Sequence, residues 1–276
     1  MSQRACIPET MMAPYWVSGS NGGKELKDAI IHMKMLVQLA TGSELIPPDA
    51  GESRVLNMVD SLKKSSLLLN SKRVDETKVH DVIRHVARSM ASTDSKYEFL
   101  HVKGNSRYFS SDAGCSGKFL RLEAETVNIH FDEDLECPDL HILWLQSNNH
   151  PQEFSVGFFR MFLNLSFLML QNVNISLEQF SLQPLGNLRR LSLLKCDIRK
   201  TDVSLFPKNL RSLWIYDCDL PRPRDVANLT KLRKLEIQQW KPELLMAENV
   251  ISSLSSLSSL SSLLTKCHVL KQRRPY

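Results

Sequence analysis

No stretch of this chain approaches the roughly 18 consecutive apolar residues that a bilayer-spanning helix needs, so a membrane span is not expected. The most hydrophobic segment, residues 158–170, is interrupted by Arg160 and Asn164. A secretory signal is also missing from the residues given: positions 1–10 hold Arg4, Pro8 and Glu9, with no apolar run before a small-residue cleavage site. The six cysteines, Cys6, Cys115, Cys137, Cys196, Cys218 and Cys267, form no C-x-x-C pair, which argues against a zinc site. Reduced thiols and a cytoplasmic location are the expectation. There is no G-x-S-x-G, no H-E-x-x-H and no glycine-rich dinucleotide turn, so an enzyme is not expected.

What is present fits a globular chain of about two domains. Of its 276 residues 42% are hydrophobic and 24% charged, and the net charge is a mild +5. That charge suits an acidic partner without requiring nucleic acid.

Residues 1–24 carry Pro8, Pro14, Gly19, Gly22 and Gly23 and read as irregular. Residues 25–40 place Ile30, Ile31, Met33, Leu36 and Leu39 at largely helical spacing, which predicts a helix. Pro47 and Pro48 mark a loop, and residues 52–65 predict a second helix with Val55, Met58, Val59 and Leu62 on one face. Leu67, Leu68 and Leu69 suggest a short strand, followed by a polar turn over 70–76 and a return at Lys78 and Val79. A third helix is expected over 81–92, with Asp81 at its N-terminal end and Val82, Val86 and Met90 on its apolar face. Helix, helix, hairpin and helix suggest a small winged-helix-like domain. Arg84, His85 and Arg88 leave DNA binding as one alternative.

From about residue 119 the period changes. L-x-x-L-x-L runs begin at Leu140, Leu165, Leu188, Leu210 and Leu232, in steps of 25, 23, 22 and 22 residues. A weaker copy, Leu120-Arg121-Leu122, precedes them. This is the leucine-rich-repeat pattern. Each unit is too small to bury its own leucines, so neighbouring units must stack into a curved solenoid. Cys196 and Cys218 fall in the slot that turns the chain off each strand and read as structural thiols. Residues 251–264 alternate leucine with serine pairs, a low-complexity pattern to which no function is assigned.

The stretch SGSNGGKE at 18–25 has the Gly-Lys ending of a phosphate loop. However, Ser18 replaces its first glycine, and Glu25 would repel phosphate. Three sequons, at Asn164, Asn174 and Asn228, allow an extracellular repeat receptor as a second alternative.

Residues 50–92 include SRVLNMVDSLKKSSLLLNSKRVDETKVHDVIRHVARSMA, which resembles the winged-helix end of the nucleotide-binding module in plant coiled-coil nucleotide-binding leucine-rich-repeat disease-resistance proteins. Val79-His80-Asp81 stands where that family has Met-His-Asp, followed by VIRHVA where the family reads roughly VVRDVA. Leu135 to Leu140 (LECPDL) resembles the family's lead-in to its repeats, and the similarity runs from about 30 to 240. The resemblance implies an intracellular immune receptor, N-terminally truncated and lacking the phosphate loop. It implies that His80 contacts the terminal phosphate of bound ADP and that Asp81 caps a helix. No cofactor is expected, ADP or ATP entering only if the missing module is supplied.

The resulting expectation is an α/β chain. An irregular N-terminus (1–24) precedes the C-terminal, winged-helix-like part of a nucleotide-binding module (25–95). A linker (96–118), leucine-rich repeats (119–245) and a Ser/Leu tail (246–276) follow. Residues between the inward leucines should form a protein-binding face of Ile142, Trp144, Phe167, Met169, Arg190, Trp214, Tyr216 and Lys234. The expected partners are a pathogen effector, a guarded host protein or the nucleotide-binding module of a related receptor. On that reading, Trp144→Ala and Trp214→Ala weaken the partner without unfolding the chain.

Overall fold

The computed structural model describes residues 28–42, 51–80, 82–83, 85–86, 99–104, 108–109, 119–124, 130–131, 136–147, 157–173, 182–197, 206–218, 229–239 and 262–267. The chain is mixed α/β and divides into two compact units, Met1–His101 with Ser116–Arg121 and Val102–Cys115 with Leu122–Tyr276. Among the described residues no helix is long and apolar enough to cross a membrane.

The first unit holds β1 (Asp28–His32), α1 (Met33–Gly42), α2 (Gly51–Lys64), β2 (Leu68–Asn70) and β3 (Glu76–His80). The strands form an antiparallel sheet in the order β1-β3-β2. Helix α1 buries Leu36, Val37, Leu39 and Ala40, and α2 buries Val55 and Val59 one turn apart. Ile31, Leu68 and Val79 complete this core.

The expected helix over 25–40 is corrected at its start, because residues 28–32 form a strand. Alanine and two β-branched isoleucines pair with β3, Ala29 opposite Val79 and Ile31 opposite Thr77. The chain then turns helical at Met33, whose N–H donates to the Asp75 carbonyl at 2.9 Å.

Helix α2 ends in a Schellman turn. Ser66 is left-handed at φ 58°, Leu67 N–H donates to the Leu62 carbonyl at 3.0 Å and Ser66 N–H to that of Lys63 at 3.0 Å. The β2–β3 turn closes on Glu76, a buried carboxylate that accepts from Ser71 Oγ at 3.0 Å and Arg73 Nη1 at 3.5 Å. His32 Nδ1 lies 3.7 Å from the same carboxylate. Beyond β3, Val82, Ile83, His85 and Val86 take helical backbone. Val82 and Val86, expected on a buried face, are 60% and 49% exposed.

The second unit is a stack of parallel strands. The rungs are β8 (Ile142–Ser147), β9 (Phe167–Gln171), β10 (Arg190–Leu194), β11 (Ser212–Tyr216), β12 (Lys234–Gln239) and β13 (Ser262–Cys267). Each pairs in parallel with the next. Strands β4 (Phe99–Gly104) and β6 (Phe119–Ala124) run across the boundary between the units in sequence, while β5 (Tyr108–Phe109) and β7 (His130–Phe131) form a separate parallel pair. The register is that of the repeats: Leu143, Leu168, Leu191, Leu213 and Leu235 fall in line, as do Leu145, Leu170, Leu193, Ile215 and Ile237. All fifteen residues of the five L-x-x-L-x-L frames are buried, none more than 3% exposed.

Each strand must then leave the sheet in the same way. Asn172, Lys195 and Asp217 sit at φ 55°, 53° and 51°, one per repeat. Their N–H groups donate to the carbonyls of Leu194, Tyr216 and Gln238 on the next rung, each at 2.9 Å. The longer step between β8 and β9 accommodates a 3-10 turn, Phe158–Met161. Phe158, Phe159 and Phe162 pack there edge to face, with ring centroids 5.0 and 5.2 Å apart.

The low-complexity tail is not structureless throughout. Residues 262–267 add a rung, with Leu263 in register with Leu235. A leucine period of three conceals a strand whose register is set by the neighbouring rung.

Candidate functional site

The strands carry three parallel tracks of side chains, one at their starts, one along their middles and one at their ends. The middle track is closed. Of the residues expected to form the binding face, Ile142, Trp144, Phe167, Met169, Arg190 and Trp214 are all at most 8% exposed, and Ser192 and Glu236 beside them are buried as well. Tyr216 and Lys234 are half-buried. Water therefore scarcely reaches the side chains of this track.

Trp214 is a packing hub rather than a contact residue. Its ring lies 6.1 Å from that of Phe167 on β9, and Lys234 Nζ sits over it at 5.9 Å from the centroid. Removing a tryptophan from such a place opens a cavity costing about 3–5 kcal/mol. Trp144→Ala and Trp214→Ala are therefore expected to cost stability, where the reading of the sequence expected loss of a partner without unfolding. Alternation along a strand identifies residues that share a face, but not whether that face meets solvent.

The strand-end track remains accessible. Gln146, Gln171, Leu194, Tyr216 and Gln238 occupy one column on five successive rungs, and all are half-buried. The strand-start track is open too: His141, Arg189, Arg211 and Arg233 are exposed and Ser166 half-buried.

Two ladders hold these tracks in place. Just before each first leucine, Asn164 Nδ2 donates to the Pro138 carbonyl at 2.9 Å. Asn187 Nδ2 donates to the Leu163 carbonyl at 3.1 Å and to Asn164 Oδ1 at 3.3 Å. Asn209 Nδ2 donates to the Gly186 carbonyl at 2.9 Å, and Lys231 Nζ to Asn209 Oδ1 at 2.7 Å. The asparagine of the Asn164 sequon is thus part of the repeat's own bonding.

Inside the turn off the strand, Cys196 N–H donates to Cys218 Sγ at 3.3 Å. The Cys218 thiol donates to the Tyr216 carbonyl at 3.3 Å. Both cysteines are buried and neither is in a disulfide. Burial, and then the neighbouring Cys196, pushes the Cys218 thiol well above its usual range. These are structural thiols. Cys137, wholly buried, is disulfide-bonded, which departs from the expected six reduced cysteines. Spacing along the chain carried no sign of it.

In the first unit, His80 ends β3 with its side chain exposed. Val82 N–H donates to its Nδ1 at 3.3 Å, so a neutral imidazole carries its proton on Nε2. The ring thereby satisfies a backbone N–H at the start of the helical segment, the task expected of Asp81, which lies outside the described residues. Among the described residues no group of three or more His, Cys, Asp or Glu side chains could hold a metal.

No family model matches the chain. A probable disease resistance protein of Arabidopsis thaliana is 31% identical over 149 residues, which is 51% of this chain and 16% of that protein. The chain therefore spans less than a fifth of that relative's length. The crystal structure of an internalin from Listeria monocytogenes overlaps 55% of this chain and 56% of its own, at 16% identity and a TM-score of 0.31. Over about half its length, then, this chain is similar to a plant disease resistance protein, and its own strands form the parallel stack that leucine-rich repeats build.

Proposed function

We propose that the chain is a plant defence protein of the intracellular immune-receptor kind, acting by protein–protein interaction through its repeats. The observation that carries this reading is the in-register stack of five leucine frames with an accessible column at the strand ends. The similarity to a probable disease resistance protein supports the biological setting. A rigid parallel stack presents side chains at fixed spacing, which lowers the ordering cost of binding a protein.

Within this proposal the first unit is winged-helix-like. A strand and two helices precede a hairpin, and the first strand lies against the last. The exposed His80 is the residue that would face a nucleotide phosphate in a complete module. Nucleotide binding by this chain is at most vestigial, and calorimetric titration with ADP should give no saturable heat.

The test is capture of proteins from pathogen-challenged plant extract by the wild-type chain and by Tyr216→Ala and Gln238→Ala variants. Capture of a reproducible partner, reduced in both variants at unchanged circular dichroism, supports the proposal. No captured protein, or capture indifferent to both substitutions, overturns it.

The sequons at Asn164, Asn174 and Asn228 favour one other reading, an extracellular repeat protein. Mass mapping of protein expressed in plant cells separates the two. Glycan on the exposed Asn164 supports the extracellular reading; an unmodified asparagine with a reduced Cys137 supports the intracellular one.

A further inference from the structure

We infer that Cys196 and Cys218 form an oxidation-sensitive latch, in which a hydroperoxide joins the two thiols as a disulfide that ties neighbouring rungs of the solenoid together. The inference goes beyond the protein-binding reading and stands or falls independently of it.

The repeat places the two sulfurs side by side. Cys196 follows the left-handed Lys195 and Cys218 follows the left-handed Asp217, so the two turns leave their strands alike. Lys195 N–H donates to the Tyr216 carbonyl at 2.9 Å, and Cys196 N–H to Cys218 Sγ at 3.3 Å. The two cysteines are 22 positions apart, the same offset that sets Leu194 opposite Tyr216. Equivalent positions on adjacent strands stand about 4.8 Å apart, within the roughly 4.4–6.8 Å between Cα atoms that disulfides span. The two side chains also hydrogen-bond each other, and neither is in a disulfide.

In the resting fold the pair is structural, because burial withholds it from oxidant. Cys196 is 3% and Cys218 1% exposed, so reaction waits on local opening of the turns that carry them. The two thiols are not equivalent. Burial raises both, but at Cys196 the hydrogen bond with Cys218 and the backbone bonds at Val173, Leu194 and Asn172 outweigh it and hold this thiol below its usual range. Cys196 is therefore the first of the pair to ionise, and the thiolate is the form that attacks a peroxide.

The chemistry takes two steps. The Cys196 thiolate attacks one peroxide oxygen; an S–O bond forms, the O–O bond breaks, and the departing oxygen takes up a proton. Cys218 then attacks the sulfenic sulfur; the S–S bond forms, the S–O bond breaks, and hydroxide leaves as water with the Cys218 proton. Two thiols are oxidised to one disulfide while one hydroperoxide is reduced, hydrogen peroxide giving two waters. The bond closes the loop that carries β11, which restricts the unfolded chain and resists separation of the two rungs.

The experiment treats the full chain with hydrogen peroxide under native conditions. Remaining thiols are alkylated after denaturation, and disulfides are mapped by mass spectrometry. The expected result is Cys196 joined to Cys218 as the dominant new disulfide, with the oxidised chain unfolding in urea at least about tenfold more slowly than the untreated chain. Cys196→Ser, treated in the same way, should gain neither the bond nor the slower unfolding. Cys218→Ser, which keeps a hydrogen-bonding group but no second thiol, should instead yield a dimedone adduct at Cys196. Wild-type thiols that stay reduced, stop as sulfenic or sulfinic acids, or pair indiscriminately with other cysteines would overturn the latch. A joined pair without slower unfolding would overturn it as well.

Discussion

The two units solve the same problem, satisfying buried backbone and packing apolar faces, by opposite means. Among the described residues of the first unit each device occurs once: a Schellman turn at Ser66, a carboxylate hub at Glu76, an imidazole at His80 that receives a backbone N–H. In the solenoid each device recurs every 22 or 23 residues, through left-handed residues at 172, 195 and 217 and asparagines at 164, 187 and 209. Repetition lets each rung template the next, so the cost of a defect is shared with its neighbours. A device present once has no such support.

The sharpest way to break this comparison is at its most densely packed point. Trp214→Ala should cost about 3–5 kcal/mol, read as a lower urea midpoint. Hydrogen exchange should rise first on β10, β11 and β12, with β1–β3 protected at wild-type level. Uniform loss of protection would mean that the two units unfold as one.

Next comes Cys218→Ala, which leaves the buried Cys196 N–H without its sulfur acceptor. A loss of about 1–3 kcal/mol is expected, again by urea denaturation. Cys218→Ser should lose less, because a hydroxyl can accept from Cys196 and still donate to the Tyr216 carbonyl.

In the first unit, Glu76→Ala should cost about 1–2 kcal/mol, through the lost Ser71 bond and the lost packing. Arg73→Ala should cost under about 0.5 kcal/mol, because that side chain is 70% exposed and its ion pair is screened. If Arg73 proves as costly as Glu76, the turn depends on charge rather than on a buried acceptor.

The smallest effect has the opposite sign. Ser66→Gly and Lys195→Gly relieve left-handed backbone that an L side chain resists, and each should stabilise by about 0.5–1 kcal/mol. If only Ser66→Gly stabilises, the rung-to-rung hydrogen bonds already offset the strain at Lys195.

Much of the solenoid was legible because its signal is periodic. Five frames of leucine, read against one another, pick out fifteen side chains that are all buried, and the degenerate copy adds Leu120 and Leu122, both 2% exposed. Helix α2 was legible from Val55 and Val59. The strand at 28–32 was not, because Ile30 and Ile31 suit either element and only pairing with β3 decides between them. The tail rung at 262–267 was hidden for the same reason. Alternation puts Trp144 and Trp214 on one face without revealing how little water reaches them.

By itself, the order of residues determined that the leucines of the five frames point inward, since a short period can bury its leucines only by stacking. Tertiary structure alone decided where water reaches. It closed the aromatic middle of the sheet, left the strand starts and ends accessible, and drew residues 28–32 and 262–267 into strands. Burial and strand partnership depend on segments distant in the chain, which no local pattern encodes.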